Sequence, residues 1–115
     1  MNPLQPSERI IQETVPGKQV TLAHVIASPV QAVYDSLGIG NSGAIGILTL
    51  TPFETSMIAA DLAAKAADVK VGFLDRFTGS VVLLGDVDSV STALSVVCST
   101  LHEKLGYTIC GQTRT

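Results

Sequence analysis

At 115 residues the chain fits one domain and leaves no room for a catalytic domain beside a separate binding domain. Its apolar share is 46% and its mean hydropathy +0.42, more than so small a domain hides alone, which predicts association between subunits. Seven scattered basic residues stand against ten acidic ones with five aromatics, which excludes the concentrated, stacking basic surface of a nucleic-acid binder.

The first residues carry two prolines before Arg9-Ile10-Ile11-Gln12-Glu13, which opens a weakly alternating strand over residues 9–15 closed by Pro16-Gly17. The start lacks the apolar run of a secretory signal, so a reducing compartment and two free thiols, Cys98 and Cys110, are expected. Val20, Leu22, His24 and Ile26 alternate as a second strand. Ser28-Pro29 with Gln31 reads as a helix start with a capping box, Val30, Val33 and Leu37 as its apolar stripe, and Gly38 as its stop. Residues 44–51 form a strand with Gly46 inside. The longest uncharged stretch, residues 36–53, holds four glycines and a proline, so it cannot cross a membrane as one helix.

Thr51-Pro52-Phe53-Glu54 has the form of a capping box, opening an alanine-rich helix to about Ala67. Residues 69–75 and 80–84 predict an antiparallel hairpin around Phe77-Thr78-Gly79. Asp86 caps a last helix whose buried stripe is Val87, Val90, Leu94, Val97 and Leu101, with Gly106 ending it. Residues 107–110 read as a final strand. This order predicts an α+β fold, a mixed ferredoxin-like sheet with helices packed on it. Residues 1–17 form an extension with its own strand, and residues 18–115 the domain proper.

Chemical motifs are weak. Gly38-Ile39-Gly40-Asn41-Ser42-Gly43 spells a dinucleotide fingerprint, but that motif needs a strand before it and a helix after it. Here the order is reversed, which favours a helix-terminating loop. His24 and His102 lack partners at zinc spacing; Asp61, Asp68, Asp75, Asp86 and Asp88 could gather around a metal, but Asp86 is accounted for as a helix cap and Asp68 stands in a helix-to-strand turn. Cys98 lies on the apolar side of the last helix, and no base accompanies either cysteine. No catalytic residue, cofactor or metal site is assigned, and the chain reads as a non-enzyme.

Lys65-Ala66-Ala67-Asp68-Val69 followed by Val71-Gly72-Phe73 resembles the K-A-A-N-V…V-G-Y run of bacterial microcompartment (BMC) shell domains. Phe77-Thr78-Gly79 stands where those domains place a G-S-G-like turn, Gly85-Asp86-Val87 matches their G-D-V helix start, and Ala44-Ile45-Gly46-Ile47-Leu48 resembles their A-L-G-M-I strand. Their closing text, V-x-V-H-V-I-P-R-P, appears here at the front, as residues 20–29 with His24-Val25-Ile26 intact. The chain is therefore similar to a circularly permuted shell domain of the ethanolamine- and propanediol-utilisation type.

That resemblance implies a homohexamer tiling a microcompartment shell in the cytoplasm, beside other shell proteins and around enzymes of an aldehyde-generating pathway, and limiting small-molecule passage. It implies Lys65 at the hexamer edge, Phe77, Thr78 and Gly79 at an axial turn, and Arg9, Ile10, Ile11, Gln12 and Glu13 in an axial strand. Two departures bear on these roles. Ala27-Ser28-Pro29 replaces P-R-P, and Phe77-Thr78 makes the axial turn bulkier. A docking module for encapsulated enzymes and a nucleotide-sensing ferredoxin-like protein stand as the alternatives.

Overall fold

A computed structural model describes residues 17–41 and 43–115, so the strand expected at residues 9–15 and nearly all of the proposed extension lie outside the described residues. The elements are β1 (Gln19–Ile26), α1 (Gln31–Leu37), β2 (Ala44–Thr51), α2 (Thr55–Ala66), β3 (Lys70–Asp75), β4 (Ser80–Gly85), α3 (Val87–Leu105) and β5 (Thr113–Arg114). The strands form one sheet in the order β3-β4-β2-β1-β5. Neighbours are antiparallel except β1 and β5, which run parallel, so the sheet is mixed as expected.

The period-two alternation of the strands sorts their side chains between two faces. Leu48 and Leu50 of β2 and Val81 and Leu83 of β4 join Val90, Leu94, Val97 and Leu101 of α3 in the main core, with Ala59 and Ala63 of α2. A bulge between Val20 and Leu22 resets the alternation in β1, so Ala23 and Val25 reach this core while His24 and Ile26 point to the other face. The alanines of α2 let that helix lie close to the sheet. α3 does the same over Gly46, where a Cβ would stand 2.6 Å from Val90 Cγ1. Among the described residues the second face carries only α1, and there Tyr34 packs with Ile45, Val82 and Leu84.

α3 matches its expected signals. Asp86 Oδ1 accepts from the Ser89 amide at 2.9 Å, and Gly106 closes the helix at φ +75°. Three expectations need correction. α1 begins at Gln31 with Val30 extended before it and no side-chain cap, so Ser28 is no N-cap. Gln31 Nε2 instead donates to Asp35 Oδ1 at 3.0 Å, one turn on. The anchor of α1 is the buried Tyr34, whose hydroxyl donates to the Gly43 carbonyl, whereas Val30 and Leu37 are exposed.

At α2 the expected box is absent because Thr51 stays in the sheet opposite Gln19. The ladder holds this residue, and the helix starts at Thr55, where the Thr55, Ser56 and Met57 amides bond the carbonyls of Pro52, Phe53 and Glu54. Residues 107–110 do not form the expected final strand: they supply only an isolated bridge, Thr108 to Gln19, and the last strand is Thr113–Arg114.

The close approach of α3 predicts that Gly46→Ala destabilises the fold by about 1–3 kcal/mol through overpacking. Adding Val90→Ala, which vacates the contested space, recovers part of that loss. Urea denaturation of both variants measures it, and equal loss in the single and double variants contradicts the proposed contact.

Candidate functional site

The described residues gather no cluster of metal-ligating side chains, and the distinctive surface lies where apolar or charged groups are uncovered. β3 is the clearest case. Lys70, Val71, Gly72, Phe73 and Leu74 are all exposed, on both faces of an edge strand. A monomeric sheet normally covers one face of each strand. Phe73, 48% exposed, also overhangs a hollow of about 500 Å³ between α1 and the sheet, lined by Ile26, Val33, Leu37, Ile47 and Val82. Among the described residues the short helix α1 covers only part of that face.

The β3–β4 turn is built around Asp75. Its Oδ1 accepts the Phe77 amide at 2.8 Å, and its Oδ2 accepts the Thr78 hydroxyl at 2.9 Å. These donors, the Phe77 amide first, hold the Asp75 carboxyl below its ordinary range. Gly79 takes φ +76° and donates its amide to the Asp75 carbonyl, while its own carbonyl accepts from the Leu50 amide. A Cβ at Gly79 would fall 2.2 Å from the Leu50 oxygen, so only glycine fits. The clamp leaves Phe77 72% exposed, with the Arg76 guanidinium 4.9 Å from its ring centroid. Phe53 and Glu54 complete a shallow depression beside this pair.

Lys65 lies in the last turn of α2, far out in solvent, and pairs with Asp61 at 2.8 Å across one turn. An exposed i,i+4 pair is worth little to the fold. Arg9, Ile10, Ile11, Gln12 and Glu13 fall outside the described residues, so only Lys65 and the turn Phe77-Thr78-Gly79 can be placed. They occupy separate regions: the end of α2 and the tip of a hairpin.

The remaining candidates resolve into structural roles. Gly38 closes α1 in the left-handed conformation and β2 begins at Ala44, so the glycine loop runs from a helix into a strand, the reverse of the fingerprint's order. Burial pushes the Cys98 thiol up, which suits a small core hydrophobe and not a nucleophile. His102 Nδ1 lies 2.9 Å from the Tyr107 carbonyl, and both ring nitrogens of His24 meet threonine hydroxyls. Sequence reasoning missed the exposure of β3 and the clamp role of Asp75. An aspartate two residues before the turn centre is the signal that could have found the latter.

The chain belongs to the BMC domain family, which it matches over residues 44–112. It is 59% identical over 107 residues to the bacterial microcompartment shell protein EutS of Escherichia coli strain K12, covering 93% of this chain and 96% of that one. It is 56% identical over 110 residues to the shell protein PduU of Salmonella typhimurium strain LT2, covering 95% of each. A solved flat hexamer of CutR superposes with a TM-score of 0.85 at 52% identity, over 93% of this chain and 99% of that chain.

The hydrogen bonds to Asp75 and Asp86 give a pH dependence of defined sign. Both carboxyls sit below the ordinary value of 3.8, so their contribution is complete above that value and is lost as pH falls through the depressed ones. Asp75→Asn therefore flattens the acid limb of the melting temperature between neutral pH and pH ~2. A curve parallel to wild type by calorimetry contradicts the clamp.

Proposed function

We propose that the chain is a structural subunit of a bacterial microcompartment shell, acting as a homohexamer that tiles with other shell proteins around enzymes of an aldehyde-generating pathway. The observation that carries this reading is the apolar surface of β3 and of the sheet beside α1, which the described residues leave uncovered. Such a surface in a closed ring is a subunit interface. Among the described residues no group of side chains could hold a metal ion, and burial pushes the Cys98 thiol up, away from a reactive thiolate. On this reading the protein is not an enzyme, and it resides in the shell.

The family match starts at residue 44, so β1 and α1 precede it, and this supports a circular permutation in which they stand in for the family's usual C-terminal elements. Residues 1–17 then form an extension whose strand, Arg9-Ile10-Ile11-Gln12-Glu13, gathers with five copies over the hexamer axis. The turn Phe77-Thr78-Gly79 lines that axis and narrows it through the exposed Phe77 ring. Such an axis limits small-molecule passage.

Lys65 is read as an edge contact between hexamers, its stem laid along its two-fold mate. A weak contact repeated on every edge decides whether a sheet forms. Concentrated wild type should form extended arrays under the electron microscope, and Lys65→Asp should abolish them while leaving the hexamer mass unchanged by native mass spectrometry. Identical arrays from both proteins contradict the edge role. A clean monomer or dimer for the wild type contradicts the shell reading itself.

A further inference from the structure

The outer edge of β1 is closed by the chain's own C-terminus. Thr108 bridges Gln19, and Thr113 and Arg114 pair with His24 and Val25, all parallel and all in one register. Residues 108–115 thus follow β1 as a single interrupted strand. Between the paired points the chain leaves the ladder: Cys110 packs against the core cluster, and Gln112 is tied to α3. The Ser91 hydroxyl donates to Gln112 Oε1 at 2.7 Å, and Gln112 Nε2 donates to the Ser91 carbonyl and the Ser95 hydroxyl, each at 3.2 Å.

Residues 112–115 are exposed throughout, so apolar burial does not hold them. A two-residue strand is too short to persist on its ladder alone. Side chains supply the difference. His24 Nδ1 lies 2.6 Å from the Thr113 hydroxyl and Nε2 lies 2.8 Å from the Thr115 hydroxyl. A hydroxyl both donates and accepts, so one threonine serves the bare ring nitrogen and the other receives the N–H, whichever tautomer is present. The grip brings Thr115 into place to donate its amide to the Val25 carbonyl at 2.9 Å and to accept from the Ala27 amide at 2.8 Å. Those are the groups an incoming strand would otherwise pair with.

We propose that residues 112–115 are a strap that guards the outer edge of β1 against strand addition, and that His24 is its clasp. This inference does not depend on the shell reading, since the edge needs protection in any assembly state. The reverse also holds: an unchanged subunit mass says nothing about the strap.

The test uses the full chain carrying His24→Phe, which keeps a ring of similar shape but removes both nitrogens. Thr113→Val with Thr115→Val removes the hydroxyls instead and covers the case in which the first variant folds poorly. Hydrogen exchange read by mass spectrometry should show the C-terminal peptide exchanging about tenfold faster in either variant, as expected from losing two side-chain hydrogen bonds. The α3 peptide should keep wild-type protection. On concentration the variants should grow into thioflavin-binding species that the wild type does not form. Unchanged exchange at the C-terminus in both variants overturns the clasp. Faster exchange with no gain in thioflavin-binding association overturns the guarding role.

Discussion

A five-stranded sheet has two faces, and the described residues hold helix enough to cover one of them. α2 and α3 pack on one face with the smallest residues available: the alanines of α2, and Gly46 beneath Val90. That close packing gives a dry core in which Val25, Leu48, Leu83, Leu94 and Leu101 have no solvent contact to speak of. The other face receives seven residues of α1, anchored through Tyr34. What remains there, together with β3 at the sheet edge, is apolar and open. Burying such surface is the main favourable term in association, so the incomplete cover of the monomer is the driving force for the oligomer.

The same division explains where specific polar devices occur. Each stands at a boundary where burial gives out. Asp75 and Gly79 shape the tip of the exposed hairpin and fasten it to the end of β2. Asp86 fixes the entry of α3 directly after β4. His24, Gln112 and the two terminal threonines hold the opposite edge of the sheet. One sheet edge therefore offers apolar side chains, and the other is closed by hydrogen bonds, which gives a tile a defined interface and a protected flank.

Much of this was legible in the sequence because periodicity reports burial on a covered face. The stripe of α3, its aspartate cap and glycine stop, the glycine-bearing strand β2 and the β3–β4 hairpin all follow from local pattern. Errors arose where a local motif competed with a long-range contact. Thr51-Pro52-Phe53-Glu54 has the form of a capping box, yet the ladder to Gln19 keeps Thr51 in the sheet. Ser28 and Gln31 read as another box, but Tyr34 and its bond to Gly43 fix where α1 sits. The polar run Gln112-Thr113-Arg114-Thr115 has no strand signal at all, because its pairing depends on His24, some ninety residues away. The assembly surface was legible only in part: composition announced uncovered apolar area, while β3 as its location emerged from the topology.

The claim that most else rests on is that the uncovered surface around β3 becomes a subunit interface. Sedimentation velocity of Phe73→Asp measures this directly, since Phe73 is half-exposed and its replacement places a charge on that surface without emptying the main core. The account predicts a variant with wild-type circular dichroism and cooperative melting that sediments below the wild-type assembly. A folded Phe73→Asp chain that keeps the full wild-type assembly at the same concentration would contradict it.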